Sequence, residues 1–217
     1  MKNRQKKATV IVFPGSNCDK EAGDILNKYG FDTTFTWHDE NLPSDIDLCF
    51  IPGGFSYGDY LRSGAVAARG KIMNQVRNFG ENGGFVIGIC NGFQILTEAK
   101  ILPGALMQNA CGHFVCKITD FKTENKDSVF TKNLKENVKI QVAHGDGRYT
   151  ADSKTLEMLE KENRIAFRYE DNYNGSAQSI AGIIGGKNYN ILGMMPHPER
   201  SLASADCVKI FENLSKI

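Results

Sequence analysis

The stretch Phe85-Val86-Ile87-Gly88-Ile89-Cys90-Asn91-Gly92-Phe93-Gln94-Ile95-Leu96 carries a cysteine with a glycine two residues to either side, where an apolar run gives way to a helix-like pattern. This G-x-nucleophile-x-G spacing belongs to a sharp strand-to-helix elbow. The elbow needs residues without a Cβ on both flanks because the neighbouring strands and the incoming helix pass close to the turn. Such a turn lifts the Cys90 thiol clear of the sheet. It also sets the thiol against the first turn of a helix, whose free N–H groups and positive dipole end favour thiolate over thiol. The stretch therefore predicts a nucleophile at the carboxyl end of a buried strand.

Outward from the elbow, strand-like runs alternate with amphipathic stretches through the first half of the chain, the pattern of β-α-β units and a parallel sheet covered on both faces. Val10 to Phe13 reads as a strand ending at Pro14-Gly15-Ser16-Asn17, and a helix then runs to about Tyr29, stopped by Gly30. Phe31 to Trp37 and Ile46 to Ile51 are the next strands. The glycine- and aromatic-rich loop Pro52 to Gly64 follows, and then a helix through Phe79. In the second half, strands are expected near His113 to Ile118, Lys139 to Ala143, Ile165 to Tyr169, Ile180 to Ile184 and Ile191 to Met194, added antiparallel at one edge of the sheet. Ala203 to Leu214 reads as a final helix. The predicted fold is α/β: a single domain with an open, mostly parallel sheet, helices on both faces and antiparallel edge strands. In such sheets reactive groups gather at the carboxyl ends of the strands, which is where Cys90 and the segments starting at Pro52 and Pro196 fall.

A cysteine nucleophile needs a base, and the base needs an orienting partner. Met195-Pro196-His197-Pro198-Glu199 supplies both. The residue before a proline is pushed out of the helical region, so His197 is extended, and Glu199, two residues on, points to the same side and reaches its ring. His144, in Ala143-His144-Gly145-Asp146-Gly147, competes as the base without the proline-imposed geometry; His38 and His113 carry no comparable pattern. Donors for a developing oxyanion are expected from the N–H of Asn91 and from the Gly53-Gly54 pair that leaves the preceding strand. Gln94, one helical turn beyond Cys90, is placed to read a substrate amide.

The 217 residues suffice for one domain burying about 70% of its unfolded surface. A formal net charge of +1 gives no field that points to nucleic acid or an anionic membrane. Residues 1–7 read as a short polar tail, with the basic cluster Lys2, Arg4, Lys6 and Lys7, before a domain over 8–217. The apolar run Ala8 to Phe13 is too short for a signal-peptide core, and no run approaches the roughly eighteen residues of a membrane span. A cytosolic location is expected, with Cys18, Cys49, Cys90, Cys111, Cys116 and Cys207 as free thiols. Cys49 and Cys207 read as small buried hydrophobes. Cys111-Gly112-His113-Phe114-Val115-Cys116 offers metal ligands without the second pair of a zinc site. Gly182 to Lys187 lacks the full spacing of a phosphate loop. Neither metal nor nucleotide is expected on this chain.

Gly88-Ile89-Cys90-Asn91-Gly92-Phe93-Gln94, with Pro196-His197-Pro198-Glu199 and Gly53-Gly54, resembles the class I, or triad, glutamine amidotransferases. Three further blocks, Pro14 to Asp19, Pro52 to Arg62 and Gly193 to Arg200, are similar to the glutaminase subunits of phosphoribosylformylglycinamidine synthases, and with the elbow they span nearly the whole chain. The resemblance implies a glutaminase in purine biosynthesis with Cys90 as nucleophile, His197 as base and Glu199 as its partner. It implies two partners, an ATP-dependent synthetase subunit that receives ammonia and a small third subunit, with ATP and Mg in the synthetase. Ser63 stands where relatives carry cysteine, which touches no catalytic role. The same elbow also fits a glutaminase of another amidotransferase complex, a thiol hydrolase acting on another amide or ester, or a redox-sensing relative whose cysteine is oxidised rather than acylated.

Overall fold

The computed structural model describes residues 4–200 and 207–217. Among the described residues, eleven strands and five α-helices follow one another as β1 (Lys7–Val12), α1 (Asp19–Lys28), β2 (Asp32–Trp37), β3 (Leu48–Ile51), α2 (Lys71–Glu81), β4 (Phe85–Ile89), α3 (Asn91–Glu98), β5 (Ala105–Met107), β6 (Val115–Thr123), β7 (Asn137–His144), β8 (Arg148–Thr150), α4 (Ser153–Lys161), β9 (Ile165–Tyr169), β10 (Ile180–Gly185), β11 (Ile191–Met194) and α5 (Lys209–Leu214). Nine strands form one sheet in the order β2-β1-β3-β4-β11-β10-β9-β6-β7, and β5 pairs with β8 in a separate ribbon. The pairs from β2 to β11 are parallel, and those from β11 to β7 are antiparallel. This is the predicted sheet, with its antiparallel strands gathered on one side.

Register shows how the faces are covered. Phe50 of β3 pairs with Ile87 of β4, and Ile51 pairs with Gly88, so Ile51 and Gly88 share one face and Phe50 and Ile87 the other. The Leu96 side chain of α3 lies over Gly88, and Gly80 of α2 lies over Val86, on the Gly88 face. Phe211 of α5 stacks on Phe50 and on Tyr29 just past α1, on the opposite face. With helices on both sides, β3, β10 and β11 are buried at every residue. Among the described residues, no helix is long and apolar enough to cross a membrane.

Some boundaries differ from the sequence reading. β1 begins at Lys7, three residues before Val10, because Lys7 pairs with Asp32 on β2; Lys7, counted with the polar tail, is strand. Arg4 and Lys6 form ion pairs with Asp47. β6 starts at Val115 and runs to Thr123, longer than the expected His113 to Ile118, because β7 and β9 pair along it. Helix α4 was not anticipated, although Asp152 caps it by accepting the Thr155 N–H at 2.7 Å, a readable start signal. In the final helix pattern, Ala203 to Asp206 lie outside the described residues, Cys207 and Val208 form a turn, and α5 starts at Lys209.

Candidate active site

Three adjacent parallel strands deliver the site, since β3, β4 and β11 end side by side with Ile51 next to Gly88 and Met194 next to Ile89. At the end of β4, Cys90 takes φ +51°, ψ −105°, a conformation that L-residues rarely adopt, and its N–H is fixed by the Met194 carbonyl at 2.8 Å. The flanking glycines are a spatial requirement. A Cβ on Gly92 would lie 2.0 Å from the Ile51 carbonyl oxygen, and one on Gly88 would lie 2.6 Å from that of Gly92. The Cys90 sulfur sits 3.6 Å from the Ala143 carbonyl oxygen.

Beyond β11, His197 and Glu199 lie side by side as expected, but a turn over Pro198 and Glu199, closed by the Arg200 N–H on the His197 carbonyl at 3.3 Å, brings them together rather than the extended backbone the prolines suggested. Nδ1 of His197 is 2.6 Å from Oε1 of Glu199, both residues are buried, and the His197 N–H donates to the Gln141 carbonyl at 2.9 Å. A carboxylate on Nδ1 keeps the proton there and leaves Nε2 free to accept, and Nε2 has no hydrogen-bond partner among the described residues. Burial pulls the His197 pKa down, but the Glu199 carboxylate, and after it the Cys90 and Cys18 thiols, raise it well above the usual value. Gly53 shows how close the parts are. A Cβ there would stand 2.7 Å from Cε1 of His197, 3.2 Å from Sγ of Cys18 and 3.5 Å from Cβ of Cys90, so only glycine lets the Cys90 side chain and the imidazole share this space.

On the solvent side, a cavity of about 170 Å³ opens over Cys90, bounded by Gly54, Gln94, His144 and the carboxyl-bearing Asp59 and Asp146, with the exposed rings of Phe55 and Phe114 at its rim. A larger groove of about 390 Å³ lies behind Glu199 and Arg200 and is not lined by Cys90. The Gln94 side chain is in the cavity wall, but both ends of its amide are engaged: Nε2 donates to the Asp146 carbonyl at 2.7 Å, and Oε1 accepts from Asn91 at 2.9 Å. The Asn91 amide also accepts the Ser56 N–H at 3.1 Å, tying the loop after β3 to the elbow. Asp59 and Asp146 escaped the sequence reading. Burial is the main influence that raises the Asp59 pKa, the Ser63 hydroxyl pulls it back down, and the neighbouring Asp146 carboxylate raises it again; the two carboxyl groups line the same cavity.

His144 borders the same cavity and is arranged differently from a base. Asn109 Oδ1 accepts the Gly147 N–H, and its Nδ2 donates to two carbonyls, which fixes the amide orientation and makes Nδ1–H of His144 the donor to Oδ1 at 3.1 Å. Nε2 accepts from the Tyr173 hydroxyl at 3.0 Å. Burial, and then the charge of His197, lower its pKa to about 4, so it is neutral with both nitrogens occupied. His38 is bonded to the Tyr57 hydroxyl, and His113 to the Cys111 carbonyl. Cys111 and Cys116 are exposed thiols; Cys49 and Cys207 are buried ones, as expected. Among the described residues the one convergence of metal-type donors is Cys18, His197 and Glu199, within 4.8 Å of one another. There Nδ1 is already held by the carboxylate, and an Arg200 guanidinium nitrogen lies 3.0 Å from the sulfur.

Residues 5–210 match the model of the CobB/CobQ-like glutamine amidotransferase domain. The chain is 51% identical to the phosphoribosylformylglycinamidine synthase subunit PurQ of Zymomonas mobilis, covering 97% of this chain and 99% of that protein. It is 48% identical to the protein of the same name from a Ruegeria species, covering 96% and 97%. Among solved structures it is similar to a chain in the structure of PurLQS from Thermotoga maritima, with TM-score 0.88, 41% identity and coverage of 97% and 98%. A glutamine amidotransferase from Thermotoga maritima, with TM-score 0.62, 17% identity and coverage of 91% and 77%, shares the fold.

Proposed function

This chain belongs to the CobB/CobQ-like glutamine amidotransferase family, and from that premise we propose that it is the glutaminase subunit of a phosphoribosylformylglycinamidine synthase. In this reading it hydrolyses glutamine through a cysteine thioester and hands ammonia to an ATP-dependent synthetase subunit in purine biosynthesis, with a small third subunit in the assembly. The observation that carries the reading is the elbow thiol of Cys90 and the imidazole of His197 packed on either side of Gly53, with Glu199 on the far ring nitrogen.

The Cys90 sulfur attacks the side-chain carboxamide carbon of glutamine as its proton passes to Nε2 of His197. The oxyanion is received by the Asn91 N–H and a Gly53 or Gly54 N–H, of which Gly54 lines the cavity. Imidazolium stabilised by Glu199 then protonates the departing nitrogen, releasing ammonia and leaving a Cys90 thioester. His197 next takes a proton from water, whose oxygen attacks the thioester carbonyl, and glutamate leaves as the thiol is restored. Acid–base assistance of this kind supplies about 10²- to 10⁴-fold. Asp59 and Asp146 are suited to the α-ammonium group of the substrate, and Gln94 braces Asn91 against the cavity wall.

In this reading the catalytic domain includes all of β1 from Lys7 onward, and it works in the cytoplasm. ATP and magnesium are, in the same reading, handled by the synthetase subunit. The test is Cys90→Ala in the assembled complex. Glutamine-dependent synthesis is expected to vanish while synthesis from added ammonia persists, and a glutamyl adduct should map to Cys90 in the wild type. Loss of both activities would make Cys90 structural and overturn the reading.

A further inference from the structure

The glutaminase mechanism leaves one buried thiol beside the imidazole unused. Cys18 is 1% exposed, and its sulfur shares with His197 and Glu199 a cluster whose ligand-type atoms lie within 4.8 Å of one another. The sulfur accepts an Arg200 guanidinium N–H at 3.0 Å, and the thiol donates to the Asn17 side-chain oxygen at 3.2 Å. The backbone of Cys18 is held on both sides: its N–H reaches the Gly53 carbonyl at 3.3 Å, and its carbonyl accepts the Ala22 N–H in the first turn of α1. Cys49, by contrast, lies within β3 among apolar neighbours and has no charged group against it.

We propose that Cys18 is a positioning residue of the glutaminase reaction, its sulfur holding the Arg200 guanidinium and one edge of the His197 ring so that Nε2 stays aimed at Cys90. This rests on the functional reading given above. Three connections converge on Cys18: α1 and the glycine loop hold its backbone, through Ala22 and Gly53, and the segment after β11 reaches its sulfur through Arg200. His197 is otherwise held by one backbone bond and one carboxylate, both on the side away from Nε2, so the reacting edge of the ring has no anchor of its own. A sulfur is large and polarizable enough to touch both the guanidinium and the ring edge across the gap left by Gly53. A smaller hydroxyl keeps the polar contact with less of the packing.

The ring is faced by Glu199 and Arg200 from its own segment, Cys90 from the start of α3, Cys18 from the start of α1 and His144 from the end of β7. The Cys18 thiol is one of the groups that raise the His197 pKa, so its removal moves the acidic limb of the kcat/KM profile to lower pH.

The experiment compares wild type, Cys18→Ser, Cys18→Ala, Arg200→Met and the Cys18→Ala/Arg200→Met double variant in the complex with the synthetase and small subunits. For Cys18→Ala the expected result is a kcat for glutamine lower by about tenfold, with KM within about twofold. The acidic limb shifts down by about half a pH unit, and ammonia-dependent synthesis and melting temperature stay unchanged. Cys18→Ser recovers part of the rate, and the double variant is no worse than the poorer single one, because both act through one contact. A wild-type rate and pH profile in Cys18→Ala would overturn the assignment. So would a fall in ammonia-dependent synthesis and melting temperature in parallel with the glutamine rate, which marks a purely structural thiol. Should Cys18→Ala fail to assemble, the serine variant carries the same comparison. A wild-type complex without Cys90-dependent glutamine hydrolysis would instead sink the glutaminase reading itself.

Discussion

At the scale of single residues, the site is a set of groups whose roles follow from what each one touches. Glu199 holds Nδ1 of His197 at 2.6 Å in a buried pair, where a carboxylate both orients the ring and stabilises its protonated form. Glu199→Gln keeps the orientation and loses the charge, so kcat for glutamine should fall about 10²- to 10⁴-fold with ammonia-dependent synthesis intact. A turnover within twofold of wild type would remove Glu199 from the mechanism. Gly53 is tested in the opposite way, by adding an atom. A Cβ placed 2.7 Å from the imidazole must push the ring off its line to Cys90, so Gly53→Ala should lose glutaminase activity about tenfold or more while the chain still folds. Wild-type kinetics in that variant would mean the ring is free to yield.

At the scale of the element, the elbow stores strain. Cys90 sits at φ +51°, a conformation that costs a non-glycine residue about 1–3 kcal/mol, and the cost is borne because the Met194 hydrogen bond and the packing of α3 on β4 hold the turn. Relief of that strain can be read against a matched control. Cys90→Gly should be more stable than Cys90→Ala by about 1 kcal/mol in chemical denaturation, with both inactive on glutamine; equal stabilities would show an unstrained turn. The strands β4, β9 and β11 were legible because each is a short, largely apolar run beside a turn or charge signal: Gly84 before β4, Arg164 and Glu170 around β9, and Pro196 two residues beyond β11. Helix α4 went unread because it buries only Leu159, and its other apolar positions are too sparse to mark a face; its signal was the Asp152 cap.

At the scale of the whole molecule, the antiparallel strands do more than extend the sheet. β7 is last in the strand order, yet Gln141 accepts the His197 N–H and the Ala143 carbonyl faces the Cys90 sulfur, so β10, β9, β6 and β7 curl back over the active site. That curl buries His144 and gives the molecule an acid weakness. The ordinary histidine value is 6.5 and that of His144 is about 4, so between these values the unfolded chain binds a proton that the folded chain does not. Stability is therefore lost as pH falls through this window, by on the order of 3 kcal/mol for this one residue. His197 works in the opposite sense: its raised folded-state pKa adds stability that is fully present below pH 6.5 and is lost as pH rises from there through the raised pKa. The melting temperature of wild type should thus drop more steeply from neutral to mildly acidic pH than that of His144→Gln. Parallel curves would place the acid sensitivity elsewhere.

Local chemistry explains what the sequence by itself determined. The glycines around Cys90, the prolines around His197 and the period of the apolar runs act within a few residues, so the parallel sheet, the elbow and the His197–Glu199 pair could be read without coordinates. Tertiary structure alone decided which distant groups meet. It buried His144 and occupied its nitrogens with Asn109 and Tyr173, turned Gln94 into a brace, brought Asp59 and Asp146 to one cavity wall, and set Cys18 against Arg200 across the fold. Those contacts depend on strand order and on the curl of the sheet, and these are fixed by the sum of long-range packing, which leaves no local mark on any one segment.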